Sequence, residues 1–120
     1  MFSLNGSGKF YVYGAAVDMR KSFDGLCGLV RGALGADPLN GDVYLFLNRR
    51  RDRIKLLVWD RNGFWIFYKR LEKGTFQVLS SWQRKKRIQL PFEELLMLLE
   101  GVDLSLVKRR RWYNYQSSVA

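Results

Sequence analysis

The chain has 120 residues, a length that predicts one domain able to bury a single hydrophobic core. It contains no histidine and one cysteine, Cys27, which excludes an internal disulfide, a histidine general base and the usual Cys/His zinc sites. The formal net charge is +10, and because charges balance up to Leu47, the whole excess lies from Asn48 onward. Such a one-sided basic excess is typical of nucleic-acid binders and, less often, of proteins that bind anionic membranes.

The domain is expected to cover residues 9–103. We expect residues 1–8 to be a flexible lead-in and residues 104–120 to form a basic, aromatic and irregular tail. No apolar run approaches the roughly 18 residues that span a bilayer, and no secretory signal is evident. With a single cysteine, these features predict a cytoplasmic protein that does not bind a membrane.

The first part of the domain predicts a strand, a helix and a second strand. Residues 9–13 (KFYVY) form the first strand, and residues 43–47 (VYLFL) form a buried central one. Asp18 can cap a helix that runs to about Leu34, with a start nearer Ser22 as the alternative. The apolar stripe of this helix is Met19, Phe23, Leu26, Val30 and Leu34.

The predicted helix also contains three glycines. Gly25, Gly28 and Gly32 weaken it by about 1 kcal/mol each relative to alanine. We interpret them as sites of close packing between the helix and the sheet. Cys27 lies inside the apolar pattern and is interpreted as a small core residue, because no histidine can activate it.

An arginine-rich turn and two strands follow. Residues 53–60 and 64–71 are apolar segments of strand length, and their aromatic side chains are assigned to the core. The join Asp60-Arg61-Asn62-Gly63 fits a bulged hairpin that pairs Trp59 with Trp65, or a tight turn that pairs Trp59 with Ile66. Both registers place Lys55 opposite a cation, Lys69 or Arg70, and either solvation or a polyanion would relieve the repulsion.

The last part of the domain predicts a strand at residues 75–79 and a helix from Pro91 to Glu100, ended by Gly101. The buried stripe of this helix is Phe92, Leu95, Leu96 and Leu99, and Met97 and Leu98 widen it. The expected fold class is therefore α+β: an antiparallel sheet of about four or five strands, arranged as a β-meander, with one helix packed on it and a short C-terminal helix.

Basic clusters interleaved with aromatic residues carry the functional signal. The carboxylates are explained by caps, turns and helix starts, so we expect no catalytic residues, no metal and no cofactor. Trp82 and Trp112 stand beside cationic runs, as stacking residues do in single-strand binders. The candidate nucleic-acid-binding residues are Arg49, Arg50, Arg51, Arg53, Lys55, Arg61, Lys69, Arg70, Arg84, Lys85, Lys86, Arg87, Lys108, Arg109, Arg110, Arg111 and Trp112.

Four short sequence blocks follow one another along the chain: DMRKSFDGL at residues 18–26, NRRRDRIK at 48–55, WDRNG at 59–63 and YKRLEKG at 68–74. Over about residues 11–103 the chain resembles the small accessory protein, TnpB or Orf2, of insertion sequence 66 type transposons. It does not resemble the large RNA-guided nuclease that shares the name TnpB. The residues that match the leading family motif are Asp18, Met19, Arg20, Lys21, Ser22, Phe23, Asp24 and Gly25.

The resemblance implies a bacterial protein that is needed for transposition beside a separate transposase, which carries the acidic catalytic residues. We expect a non-catalytic accessory protein that binds transposon DNA through its basic turns and tail and also contacts the transposase. The alternative is a protein–protein adaptor that uses residues 20–26 and 92–99 without binding DNA. A third possibility is an RNA-binding module.

Overall fold

The computed structural model describes residues 8–101, which form one five-stranded sheet covered on both faces. The predicted α+β class, the strand number and the short C-terminal helix are confirmed. The expectations for residues 1–7 and for the tail after Gly101 lie outside the described residues. The elements are β1 Phe10–Tyr13, α1 Phe23–Gly32, β2 Val43–Leu47, β3 Arg53–Asp60, β4 Gly63–Arg70, a 3₁₀ turn at Ser80–Arg84, β5 Arg87–Leu90 and α2 Phe92–Glu100.

The strand order is β4-β3-β2-β1-β5, and the sheet is mixed rather than a purely antiparallel meander. β1 runs parallel to β2, whereas the other neighbouring pairs are antiparallel. The meander prediction is wrong at this pair because residues 14–42 include α1 and are long enough to return the chain to the start of the sheet. As a result, β1 and β2 end at the same end of the sheet.

The predicted position of the fifth strand is wrong. Residues 75–79 form no strand; they are irregular and bury Phe76. The strand is instead β5, which pairs with β1 so that Tyr13 lies opposite Arg87. Ile88 and Leu90 alternate with polar residues there, but the preceding run of cations hides this short period-two pattern.

The β3–β4 hairpin adopts neither predicted register. Trp59 lies opposite Phe64, and Asp60 lies opposite Gly63, so the loop consists of Arg61 and Asn62. Arg61 takes the left-handed conformation at φ 57°, and the Asn62 N–H donates to the Asp60 carbonyl at 2.6 Å. The left-handed position therefore falls on an arginine rather than on the glycine.

The two faces of the sheet bury separate clusters of apolar side chains. The face under α1 contains Val17, Leu26, Cys27, Val30, Leu34, Tyr44, Phe46 and Leu57. The face under α2 contains Phe10, Val12, Val43, Leu45, Leu47, Ile54, Leu56, Val58, Phe76, Trp82, Leu90, Leu95 and Leu98. Burial raises the pKa of the Cys27 thiol, in keeping with the core role predicted for it.

Both helices differ in detail from the prediction. α1 begins at Phe23, so the start near Ser22 is confirmed and the cap at Asp18 is wrong. Phe23 is exposed although the stripe assigned it to the core. In α2, Leu96 is exposed although the stripe assigned it to the core, whereas Leu98, which was expected to widen the stripe, is fully buried.

Of the β4 aromatic side chains that the sequence assigned to the core, Phe64 packs against it, but the other three do not. Trp65 is 50% exposed and Phe67 is 42% exposed on the α2 side, and Tyr68 is 50% exposed on the α1 side. β4 is an outer strand of the sheet, and the two helices lie over the more central strands. Exposure therefore follows from the position of β4 in the strand order.

The glycines of α1 are not sites of close packing on the sheet: a Cβ atom at Gly25 would meet only the Lys21 side chain, at 3.2 Å. A Cβ atom at Gly28 or Gly32 would meet nothing within 4 Å, whereas one at Gly14 would collide with the carbonyl oxygens of Trp82 and Lys85. Gly14 directly follows β1, and its backbone lies against the backbone of the 3₁₀ turn that contains Trp82.

We predict opposite effects of alanine at these two kinds of position. Gly28→Ala should raise the free energy of unfolding by about 0.5–1 kcal/mol, because alanine favours the helix and contacts nothing. Gly14→Ala should lower it by about 1–3 kcal/mol, because two backbone segments must separate. Urea unfolding measures both, and a neutral Gly14→Ala variant would contradict the close approach.

Candidate nucleic-acid interface

One end of the sheet collects the cationic segments. β1, β2 and β4 finish at this end, and β3 and β5 begin there, because only the β1–β2 pair is parallel. We call this end, with the loops that meet it, the basic end. Its cationic residues are Arg20, Lys21, Arg49, Arg50, Arg51, Arg53, Arg70, Arg84, Lys85, Lys86 and Arg87.

The arginine turn between β2 and β3 is held by a side-chain network. The Asn48 Oδ1 accepts hydrogen bonds from the backbone N–H groups of Asp52 and Arg53 at 3.1 and 3.0 Å. The Asn48 Nδ2 donates to the Asp52 carboxylate at 2.6 Å, which holds the pKa of that carboxyl below its usual value. The backbone of Arg51 is left-handed at φ 59°. The turn therefore presents its arginines on a fixed backbone.

The loop between β1 and α1, residues 14–22, lies against this turn, and we call it the motif loop. The Val17 N–H donates to the Leu47 carbonyl at 2.8 Å, at the end of β2. Lys55, which is only 7% exposed, donates from Nζ to the carbonyl oxygens of Met19 and Lys21, both at 2.8 Å. The lysine ammonium thus ties the loop to the middle of β3.

Asp18 acts inside the loop rather than as a helix cap. Its carboxylate accepts from the Arg20 guanidinium at 2.7 Å and from the Arg20 backbone N–H at 2.9 Å. These bonds lower the pKa of the Asp18 carboxyl to about 2. Asp18 is therefore ionised throughout the physiological range, and its charge is already matched by Arg20.

A cleft of about 520 Å³ separates the motif loop from the arginine turn. Its lining includes Arg20 from the loop and Arg49, Arg50 and Arg53 from the turn, so arginines border it on both sides. A second cleft of about 240 Å³ lies on the other flank of the turn, between Arg49 and the Trp82 segment. Both clefts open at the basic end.

The run from Arg84 to Arg87 reaches the same end through β5. The Arg87 guanidinium carbon lies 5.1 Å from the centre of the Tyr11 ring, which orients this side chain along β1. Trp82, which the sequence offered as a stacking residue beside these cations, is buried in the core instead. This correction follows from the 3₁₀ turn at residues 80–84, which points the ring inward.

Several candidate residues lie elsewhere. Arg61 is at the opposite end of the sheet, in the β3–β4 turn. Lys55 faces Tyr68 rather than a cation, so the predicted repulsion is wrong, and its ammonium is occupied by backbone carbonyls. Lys69 donates to the Leu99 carbonyl at 2.7 Å on the α2 side. Outside the described residues lie Lys108, Arg109, Arg110, Arg111 and Trp112.

The sequence missed two features of this end. The like-charge pair across β3 and β4 is Arg53 with Arg70, because the hairpin register differs from both alternatives. Arg70 is paired with Glu72 at 2.9 Å, and Arg53 donates to the Tyr68 hydroxyl at 3.4 Å. The exposed hydrophobic side chains of β4 were the second omission, and knowledge of the strand order would have revealed them.

Comparison with known proteins identifies the family. The sequence model described as "IS66 Orf2 like protein" matches residues 8–109. The chain belongs to the IS66 Orf2-like family. This membership agrees with the resemblance in the sequence blocks and supports a role as a transposition accessory protein.

Two similar proteins of comparable length come from Sinorhizobium fredii. The uncharacterized protein y4jC is 36% identical over 94 residues, which cover 78% of this chain and 79% of the relative. The uncharacterized protein y4hO is 33% identical over 86 residues, which cover 72% and 73%. No solved structure matches the chain.

Among residues 8–101, no group of three or more His, Cys, Asp or Glu side chains could hold a metal ion. In the same range, no helix is long and apolar enough to cross a membrane.

We predict that Lys55 is a structural anchor of the motif loop. Lys55→Met should lower the free energy of unfolding by about 1–3 kcal/mol, because it leaves two carbonyl oxygens without their donor. The matched control is Lys69→Met, which removes one exposed bond to a carbonyl and should cost less than about 0.5 kcal/mol. Urea unfolding measures both, and equal losses would contradict the anchoring role.

Proposed function

We propose that the protein is a non-catalytic accessory factor of transposition that binds DNA through the phosphates facing its basic end. The carrying observation is that exposed arginines and lysines from four separate segments meet at one end of the sheet. Family membership supports a role in transposition, and the basic net charge supports a nucleic acid as the ligand.

Asp18 and Glu72, two carboxylates at this end, already have a cationic partner, whereas Asp52 keeps its negative charge and is held by a neutral amide. Asp18 is bonded to Arg20, Asp52 to Asn48, and Glu72 to Arg70. Among residues 8–101, the side chains of Arg49 and Arg50 form no ion pair. These two guanidinium groups are therefore available for phosphate oxygens, which they can bind in a bidentate manner.

The width of the sheet also suits a duplex. Neighbouring strands are about 4.8 Å apart, so the outer strands β4 and β5 are separated by roughly 19 Å. The major groove is about 12 Å wide. The cations on the two flanks can thus contact phosphates on both sides of one groove, while the arginine turn lies between them.

A second candidate function, a protein–protein adaptor for the transposase, is favoured by the α2 side of β4. The rings of Trp65 and Phe67 stack at 6.0 Å there, and Phe67 lines a cleft of about 330 Å³ with Leu99. Exposed aromatic residues beside an apolar cleft are typical anchors of protein interfaces. Co-purification with the transposase after nuclease treatment, without any DNA binding, would favour this function.

The DNA-binding proposal predicts a position-specific dependence on salt. A duplex titrated between 50 and 200 mM salt should bind with a steep negative slope of log affinity against log salt concentration. Arg49→Ala with Arg50→Ala should reduce the magnitude of that slope by about two, because two phosphate contacts are lost.

The matched control removes two cations from the opposite end, through Lys9→Ala with Arg61→Ala. This variant has the same net charge as the first and should keep the wild-type slope. If both double variants weaken binding equally, the net charge and not the basic end holds the DNA. If the wild-type protein shows no salt-dependent binding, the proposed function is wrong.

A further inference from the structure

Tyr68 occupies an unusual position at the edge of the basic end. It lies on β4, the outer strand next to β3, and half of its side chain is exposed. The Lys55 ammonium is 4.9 Å from the centre of its ring, and the Arg53 guanidinium donates to its hydroxyl at 3.4 Å. Two cations therefore fix the ring in place, although it is on the surface.

The surroundings of the ring continue the cationic surface. Arg70 projects to the same face of β4 two residues later, and it lines a cleft of about 360 Å³ with Tyr68 and Glu72. Arg53 borders the larger cleft that contains Arg49. Glu72 is the carboxylate that lines the cleft of about 360 Å³, and it is already paired with Arg70. Cations thus extend from the arginine turn to the Tyr68 ring.

We propose that Tyr68 is a base-stacking site for single-stranded DNA, with Arg53 and Arg70 holding the adjoining phosphates. A ring that is fixed and half exposed offers a stacking surface at little entropic cost, and flanking arginines supply the phosphate contacts. In a duplex the neighbouring base pairs cover the base faces, so the ring can accept only an unpaired base. This inference rests on the proposed function and adds DNA with unpaired nucleotides to the duplex as a ligand of the basic end.

The test compares two labelled strands of about 12 nucleotides, oligothymidine and an abasic strand with the same number of phosphates. Fluorescence anisotropy should show that the wild-type protein binds oligothymidine more tightly. Tyr68→Leu should weaken oligothymidine binding roughly tenfold and leave abasic binding unchanged, because it removes the aromatic face but keeps an apolar side chain. Tyr68→Phe, which keeps the ring, should bind like the wild-type protein.

Trp65→Leu is the matched control, because Trp65 has the same exposed fraction as Tyr68 but lies on the opposite face of β4. It should bind oligothymidine like the wild-type protein. Equal weakening by Trp65→Leu and Tyr68→Leu would overturn the assignment to Tyr68. Tighter binding of oligouridine than of oligothymidine would overturn the assignment to DNA.

The comparison of the two strands on the wild-type protein keeps the inference falsifiable even if Tyr68→Leu fails to fold. Equal affinity for the abasic strand and oligothymidine, with salt-dependent duplex binding retained, would overturn the stacking site and leave the proposed function standing. If the wild-type protein also fails to bind the duplex, the proposed function itself is wrong.

Discussion

The parallel pairing of β1 with β2 decides where every candidate functional side chain lies. Because α1 carries the chain across the sheet between them, both strands finish at the same end. The motif loop after β1 and the arginine turn after β2 consequently become neighbours. An antiparallel pair would have placed them at opposite ends of the sheet, and the cleft between them could not form.

A buried ammonium reinforces this arrangement. Lys55 bonds two carbonyl oxygens of the motif loop and stands beside the Tyr68 ring, so it joins the motif loop, β3 and β4. Burial of a lysine is tolerable when its donors are satisfied in this way. The residue that looked like a DNA contact in the sequence thus serves to position the residues that are proposed to contact DNA.

The sequence predicted the elements better than their arrangement. The buried strand β2, the helix α2 and its stop at Gly101 follow from local patterns that leave few alternatives. The crossover to a parallel pair, the identity of β5 and the hairpin register depend on contacts between distant segments, which period and turn rules do not encode. For the same reason the charge excess was evident from the sequence, but the collection of cations at one end was not. Arg61 and Lys55 show the difference: both are basic residues in the right region, and neither belongs to the basic end.

The central claim is that one end of the sheet binds DNA, and NMR spectroscopy tests it most directly. A short duplex added to the ¹⁵N-labelled protein should shift the backbone amide signals of the motif loop, the arginine turn and the residues from Arg84 to Arg87. The signals of the Arg61 turn and of Lys9, at the opposite end, should stay in place. Shifts that are largest around Arg61, or spread evenly over both ends, would contradict the account.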